Sequence, residues 1–200
     1  MRSTWAKTEN DMLRSSLLIG LFAFSAAAGA EDFDYNWLSV GYGMVEFDDI
    51  NVDGDGFGID GSYAINEDFH VFGDYQMANL DFGVDATTFS AGIGYNTEMS
   101  PTVDAFARLS YEYVEVDMPI FGSDDDSGYG FGVGLRFAAG PAVELDAGIN
   151  YVDYGSGGDD TAIWLGGLYS FTPSFALGLA GSWGDDVSSY SLSGRFYWGK

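Results

Sequence analysis

Cysteine is absent from this chain of 200 residues, and basic residues are scarce. Without cysteine the chain can form neither a disulfide framework nor a thiolate metal site. Only seven Lys and Arg stand against 31 Asp and Glu, which gives a formal net charge of -24 at pH 7. So few cations cannot neutralise a phosphate backbone. Nucleic acid is therefore excluded as a partner, whereas divalent cations or basic partners should be attracted.

The chain also lacks a long apolar run. Its one sizeable run, Leu17–Ala28, has about 12 residues, whereas a membrane-spanning helix needs roughly 20. Three basic residues precede the run, and the small residues Ala28-Gly29-Ala30 end it. This order is typical of a secretory signal peptide that is cleaved after the second alanine of that triplet. We therefore expect residues 1–30 to be a signal peptide.

The exported domain, residues 31–200, is expected to be more acidic still, whether Met1 or Met12 is the initiator. It keeps four basic and 29 acidic residues, a net charge of -25. No other stretch is apolar enough for a membrane helix. If this domain spans a membrane it must be a closed barrel, because lipid cannot satisfy the backbone groups of an open sheet.

Large apolar residues alternate with small or charged ones from Tyr35 onward, which is the period of a β-strand. The clearest stretch is 128–137, where aromatic and aliphatic residues alternate with four glycines and Arg136. Ten such strands are predicted. Their ranges are 35–47, 56–65, 69–79, 86–96, 103–116, 128–138, 142–154, 161–171, 175–183 and 187–198.

The connections between these strands alternate between short turns and acidic, mostly longer loops. The short turns are 66–68, 97–102, 139–140 and 172–174, and the acidic loops are 48–55, 80–85, 117–127, 155–160 and 184–186. Short turns on one rim and longer loops on the other are typical of outer-membrane barrels, with both termini on the short-turn, periplasmic side. The prediction is an all-β, transmembrane up-and-down antiparallel β-barrel of about ten strands, with eight as the alternative.

A soluble β-sandwich and a lipocalin-like barrel are the competing interpretations of the same alternation. The small and polar face carries almost no lysine, which a solvated sandwich face would be free to carry. Strands of about 9–13 residues match a tilted crossing of the hydrocarbon layer, and tyrosines concentrate near strand ends, where interfacial girdles lie. These features favour lipid on the large apolar face.

The polar face then lines the lumen, where arginines can pair with carboxylates. About ten strands enclose little more than side chains, which favours a plugged lumen over an ion-selecting constriction. The predicted lumen charges are Asp60, Asp74, Asp104, Arg108, Glu112, Arg136, Glu144, Asp146 and Arg195.

The last strand places four bulky residues and one glycine at strict spacing of two. This pattern resembles the signal that the outer-membrane assembly machinery reads, although Gly199 and Lys200 follow the aromatic end. We therefore expect that machinery and periplasmic chaperones as partners. The residues are Tyr190, Leu192, Gly194, Phe196 and Trp198.

Three strand motifs carry a family resemblance: FHVFGDY at 69–75, GIGYN at 92–96 and DAFARLSYE at 104–112. They resemble a family of small proteobacterial outer-membrane β-barrels in the OmpA-like and OmpX-like group, related to a xanthomonad surface protein. The similarity covers about residues 36–198. It implies a non-enzymatic surface or porin-like protein of the bacterial outer membrane, and it says nothing about the loops.

Few residues are candidates for chemistry, and no cofactor is expected beyond divalent cations. His70, the single histidine, is expected to bond a lumen carboxylate such as Asp74. A calcium-loop pattern, D-x-N-x-D-G-x5-D, places possible ligands at Asp49, Asn51, Asp53 and Asp60, although its last position is Asp rather than Glu.

Acidic loop tips are the remaining candidates, at Asp124-Asp125-Asp126 and Asp159-Asp160. Carboxylates crowded on one rim repel, so we expect divalent cations to bridge them to lipopolysaccharide phosphates. Two functions follow as hypotheses: a monomeric membrane platform that presents acidic loops, or a narrow diffusion pore.

Overall fold

The computed structural model describes residues 33–47, 52–119, 121–185 and 187–198. The predicted signal peptide and its cleavage site lie outside these residues, as do Asp49 and Asn51 of the calcium-loop pattern.

The described residues form one closed antiparallel barrel of ten strands, in which each strand pairs with its sequence neighbours and the first pairs with the last. The predicted up-and-down barrel of about ten strands is therefore confirmed. Within the described ranges, no helix is long and apolar enough to cross a membrane. The strands are β1 Trp37–Phe47, β2 Val52–Ala64, β3 Phe69–Leu80, β4 Val84–Ser100, β5 Val103–Met118, β6 Gly122–Gly140, β7 Val143–Asp153, β8 Asp159–Thr172, β9 Phe175–Trp183 and β10 Val187–Tyr197.

One rim of the barrel, here called the turn rim, carries tight turns whose sequence explains them. Three of its four connections are two-residue turns that begin with Pro101, Pro141 and Pro173. Proline presets the backbone angle of a turn and has no N–H to offer a strand ladder, so it ends each strand. A register shift precedes each of these turns, as bulges do at barrel rims.

The two faces of the wall differ in the way that the alternation predicts. In β1, residues alternate strictly between buried and exposed, and the exposed positions include Leu38, Val40 and Met44. Large apolar side chains are exposed on the outer face of the other strands as well. Such a continuous apolar belt is stable in lipid and not in water, so the barrel sits in a membrane with its small and polar residues inside.

The opposite rim, here called the acidic rim, differs from the prediction because β4, β5 and β6 continue past their expected ends. Two connections on this rim, 81–83 and 119–121, are therefore shorter than the acidic loops predicted at 80–85 and 117–127. Asp124-Asp125-Asp126 is not a loop tip, because it lies in β6 opposite residues 114–116 of β5. Likewise Asp159-Asp160 opens β8. Continued pairing satisfies the backbone groups of these acidic segments.

Candidate functional site

A buried ion pair lies in the lumen near the turn rim. The Nε of Arg136 donates to Oε1 of Glu144 at 2.8 Å, and both residues are buried. The same guanidinium lies over the rings of Tyr35 and Phe33, at 4.4 and 4.8 Å from their centroids. Two aromatic faces and a carboxylate thus surround the arginine, which suits a cation that has left water.

The chain that precedes β1 fills this mouth of the lumen, and we call Phe33–Asn36 the N-terminal plug. The hydroxyl of Tyr35 donates to Oδ2 of Asp104 at 2.7 Å, and its ring stacks on His70 at 4.3 Å. Burial raises the pKa of Tyr35 to about 12. The plug is not predicted from the sequence, although Phe33 and Tyr35 continue the inward phase of Trp37.

The other two lumen arginines also rest on aromatic rings. Arg195 lies 3.8 Å from the ring centroid of Trp37, its Nε donates to Oγ of Ser39 at 2.8 Å, and its Nη2 is 3.8 Å from Oδ2 of Asp60. Arg108 lies over the rings of Phe72 and Phe106, at 4.9 and 4.8 Å. Each lumen arginine is therefore held by packing on aromatic rings, and Arg136 and Arg195 are also paired with carboxylates.

The remaining lumen carboxylates are held by separate neighbours. Asp74 accepts from Nε2 of Gln76 at 3.3 Å and from the hydroxyl of Ser90. Glu112 accepts from the hydroxyl of its neighbour Ser110. Asp146 accepts from the indole of Trp164 at 3.0 Å. All nine predicted charges thus face the lumen, but in separate pairs and small groups rather than around one binding centre.

His70 has a different partner from the one predicted. Its Nδ1 lies 3.1 Å from Oδ1 of Asn96, on the neighbouring strand, and not against Asp74. Asp74 is four residues further along β3, where Gln76 and Ser90 occupy its oxygens. An amide and a stacked tyrosine suit a structural histidine that is not paired with a carboxylate.

Apolar side chains close the lumen at the acidic rim, which sequence analysis also missed. Val114 and Val116 share the inward face with Glu112, so the small and polar phase turns apolar near the strand end. Tyr154, after β7, packs into the same cluster, where burial and nearby carboxylates raise its pKa. The buried members are Val45, Phe47, Ala78, Leu80, Ala86, Val114, Val116, Val152, Tyr154 and Val187.

Pairs of carboxylates oppose each other on the outer face of the wall near the acidic rim. Residues that lie directly opposite in an antiparallel pair are near neighbours, and like charges there are destabilising. The opposed pairs are Glu46 with Asp53, Asp85 with Asp117, Glu115 with Asp125, and Asp153 with Asp159.

The calcium-loop pattern is not realised by the two of its members that the structure describes. Asp53 is exposed on the outer face of β2, whereas Asp60 is buried in the lumen. The two residues are separated by an odd number of positions, so a strand must point them to opposite faces. Among the described residues, no three His, Asp or Glu side chains are grouped to hold a metal ion.

The last strand presents its predicted signal residues to the outside. The side chains of Tyr190, Leu192, Phe196 and Trp198 are all exposed on the outer face. Recognition of this strand by the assembly machinery stays a prediction.

Comparison with known proteins agrees with the fold. A family model described as an outer membrane protein beta-barrel domain matches residues 15–171. In fold, the chain is similar to an outer-membrane channel from Pseudomonas putida F1, with 10% identity and a TM-score of 0.56 over 86% of this chain and 99% of that one.

Two surface proteins are also similar. Neisserial surface protein A shares 20% identity with a TM-score of 0.44, over 82% of this chain and 98% of that one. Ail, the attachment invasion locus protein of Yersinia pestis, shares 18% identity with a TM-score of 0.41, over 82% and 99%. No curated protein matches the chain in sequence. The link to a xanthomonad surface protein stays a prediction.

Proposed function

We propose that this chain, which belongs to the outer membrane protein β-barrel domain family, is a closed, non-enzymatic surface protein of the bacterial outer membrane. The proposed orientation places the turn rim on the periplasmic side and the acidic rim on the cell surface, because short turns are periplasmic in such barrels. The barrel acts as a monomeric anchor, and its acidic rim is the working surface.

The observation that carries this proposal is the double closure of the lumen. At the periplasmic end, the N-terminal plug packs against the buried pair of Arg136 and Glu144. At the outer end, the apolar cluster around Val45, Phe47 and Tyr154 fills the interior. Ions crossing the barrel would have to displace both, so conduction is not expected.

A catalytic role has little support in the described residues. The single histidine, His70, lies near the periplasmic mouth between a tyrosine and an amide. Nucleophilic and general-base chemistry needs a nucleophile, a base and an orienting group within hydrogen-bonding reach. The lumen charges are instead engaged in pairwise contacts.

The acidic rim is proposed to recruit divalent cations, which bridge it to lipopolysaccharide phosphates. This proposal is supported by the four opposed carboxylate pairs, because such pairs are unfavourable without counter-ions. The membrane partners are lipid and lipopolysaccharide. Assembly machinery and periplasmic chaperones are the proposed partners during insertion, through the exposed bulky residues of β10.

A narrow diffusion pore is the alternative function. It is favoured by buried polar atoms that line the lumen, such as Oγ of Ser62 and Nε of Arg108, which have no hydrogen-bond partner among the described residues. Groups of this kind usually bind water, and water along these groups is what a pore would need.

Single-channel recording in planar bilayers separates the two functions. The native protein is expected to give no conductance steps. A variant that lacks residues 31–36 has no plug and tests the second closure. It should also give no conductance steps, because the apolar cluster still closes the outer end of the lumen. Steady steps in the native protein would overturn the closed platform and establish the pore.

A further inference from the structure

An apolar tip stands on the acidic rim, formed by Phe82, Pro119 and Phe121. Phe82 is 85% exposed and Phe121 is 76% exposed. The two connections that carry them are adjacent, since a Cβ added to Gly83 would lie 3.6 Å from Cγ of Pro119. Exposed apolar side chains that lie together on a solvent-facing surface are typical of interaction sites.

The membrane that holds the barrel does not cover this tip. Along β4 and β5, Asp85 and Asp117 lie between the tip and the outward rings of Phe89 and Tyr113. Five or six strand residues separate tip and rings, which is about 15–20 Å along the chain. A charged band of this depth keeps the tip in the aqueous layer.

The backbone holds Phe82 in a costly conformation. Its φ is 64°, in the left-handed region that side chains other than glycine rarely adopt. The backbone N–H of Asp53 donates to Oδ2 of the preceding Asp81 at 3.3 Å, which ties this connection to β2. A phenylalanine kept exposed at a strained position is an observation that points to function.

The negative charge around the apolar tip determines which class of partner it can bind. Below the tip, Asp85 opposes Asp117 and Glu115 opposes Asp125 on the outer face. The three arginines among the described residues all line the lumen, so the described part of this rim is purely acidic. Phenyl faces attract Lys and Arg, and carboxylates pair with the same groups. An acidic peptide, which brings no cation to bridge it to the carboxylates, would be repelled.

We propose that the apolar tip and the carboxylates below it bind a basic peptide segment that carries apolar side chains. The phenyl rings contact the apolar side chains of the peptide and stack with its guanidinium groups. The carboxylates pair with the positive charges of the peptide. This inference rests on the proposed function, since it requires the acidic rim to face outward.

The test is fluorescence anisotropy with the protein in nanodiscs of zwitterionic lipid. The probe is a labelled 12-residue peptide of alternating Arg and Leu, compared with a peptide of alternating Arg and Ser. Native protein should bind the Arg-Leu peptide about ten-fold more tightly than the Arg-Ser peptide. Because binding is measured on isolated nanodiscs, a conducting lumen would refute the proposed function without changing this result.

Matched variants locate the surface. Phe82→Ser with Phe121→Ser, and separately Asp85→Asn with Asp117→Asn, should each weaken Arg-Leu binding about ten-fold. Asp153→Asn with Asp159→Asn is the control, since it removes an equal charge from another opposed pair and should change binding by less than about two-fold.

Three outcomes would overturn the proposal. If both double variants and the control bound the Arg-Leu peptide with equal affinity, the peptide would be attracted by the overall acidity of the protein and not by this surface. Equal affinity for the two peptides would remove the role of the rings. Binding to empty nanodiscs at the same level would assign the peptide to lipid. Heat-modifiable migration on a gel verifies that each variant is folded, and the single change Phe82→Ala serves if a double variant is not.

Discussion

Chelation of divalent cations should lower the free energy of unfolding of the barrel by the repulsion between the opposed carboxylates of the acidic rim. Directly opposed residues hold their Cβ atoms about 5 Å apart, and two carboxylates at about 5.5 Å repel by roughly 0.7 kcal/mol in water. Four opposed pairs lie on this rim. Together they cost about 3 kcal/mol at low ionic strength and about 2 kcal/mol near 0.1 M salt, where screening acts over roughly 10 Å.

The assay is urea unfolding of the protein in lipid vesicles, followed by tryptophan fluorescence, with millimolar magnesium or with a chelator. The free energy of unfolding should fall in the chelator by about 3 kcal/mol at low salt and by about 2 kcal/mol near 0.1 M salt. A variant with one acid neutralised in each pair should be insensitive to the chelator. Its changes are Asp53→Asn, Asp85→Asn, Asp125→Asn and Asp159→Asn.

The control is a variant with Glu67→Gln and Asp68→Asn, two exposed acids in a turn at the other rim. It should keep the full dependence on cations. The reasoning would be refuted if the native protein did not respond to the chelator. It would also be refuted if the four-site variant responded as strongly as the control.

Three further changes probe the lumen. Arg136→Met should cost about 3–5 kcal/mol in urea unfolding, because it strands the buried carboxylate of Glu144, whereas the double change with Glu144→Gln should cost less. Gly148→Val should cost about 1–3 kcal/mol or block insertion, because its Cβ would lie 2.3 Å from the ring of Trp164. Tyr35→Phe should flatten the stability profile above pH 10: the raised pKa of about 12 favours the neutral phenol in the folded state, so its contribution is present below pH 10 and is lost as pH rises through 12.

Each of these expectations has a contradicting result. Equal losses in the single and double variants would show that Arg136 and Glu144 do not depend on each other. A Gly148→Val barrel as stable as Ile149→Val, an outward control, would show that the lumen has spare room. Parallel alkaline profiles for the native protein and Tyr35→Phe would show that the Tyr35 phenol is not buried.

The sequence predicts the membrane-embedded part of the barrel closely. The predicted strand 175–183 coincides with β9, and 69–79 differs from β3 by one residue. In this zone one face meets lipid and the other a crowded lumen, so the alternation of side chains is strong. The inward placement of Arg136 and Asp146 follows from the same period.

The sequence does not predict the ends of the barrel, for two physical reasons. Beyond the membrane the outer face of a strand meets water, so polar residues occupy both faces of 123–127 and alternation no longer reports a strand. Inside the lumen, Val114 and Val116 are apolar on a face that was expected to be small and polar, because the closed end packs like a core. The N-terminal plug depends on contacts with residues about 35 to 100 positions away, which no local pattern encodes.

The central claim, that bulky outward residues meet lipid while the lumen is filled and closed, is tested by four native tryptophans. Trp37 and Trp164 are buried in the lumen, whereas Trp183 and Trp198 are exposed on the outer face. Variants that retain one of these residues, with the others changed to Phe, are reconstituted in vesicles whose acyl chains are brominated near the headgroup. The account predicts strong quenching of Trp183 and Trp198 and little quenching of Trp37 and Trp164. Equal quenching of all four would contradict it.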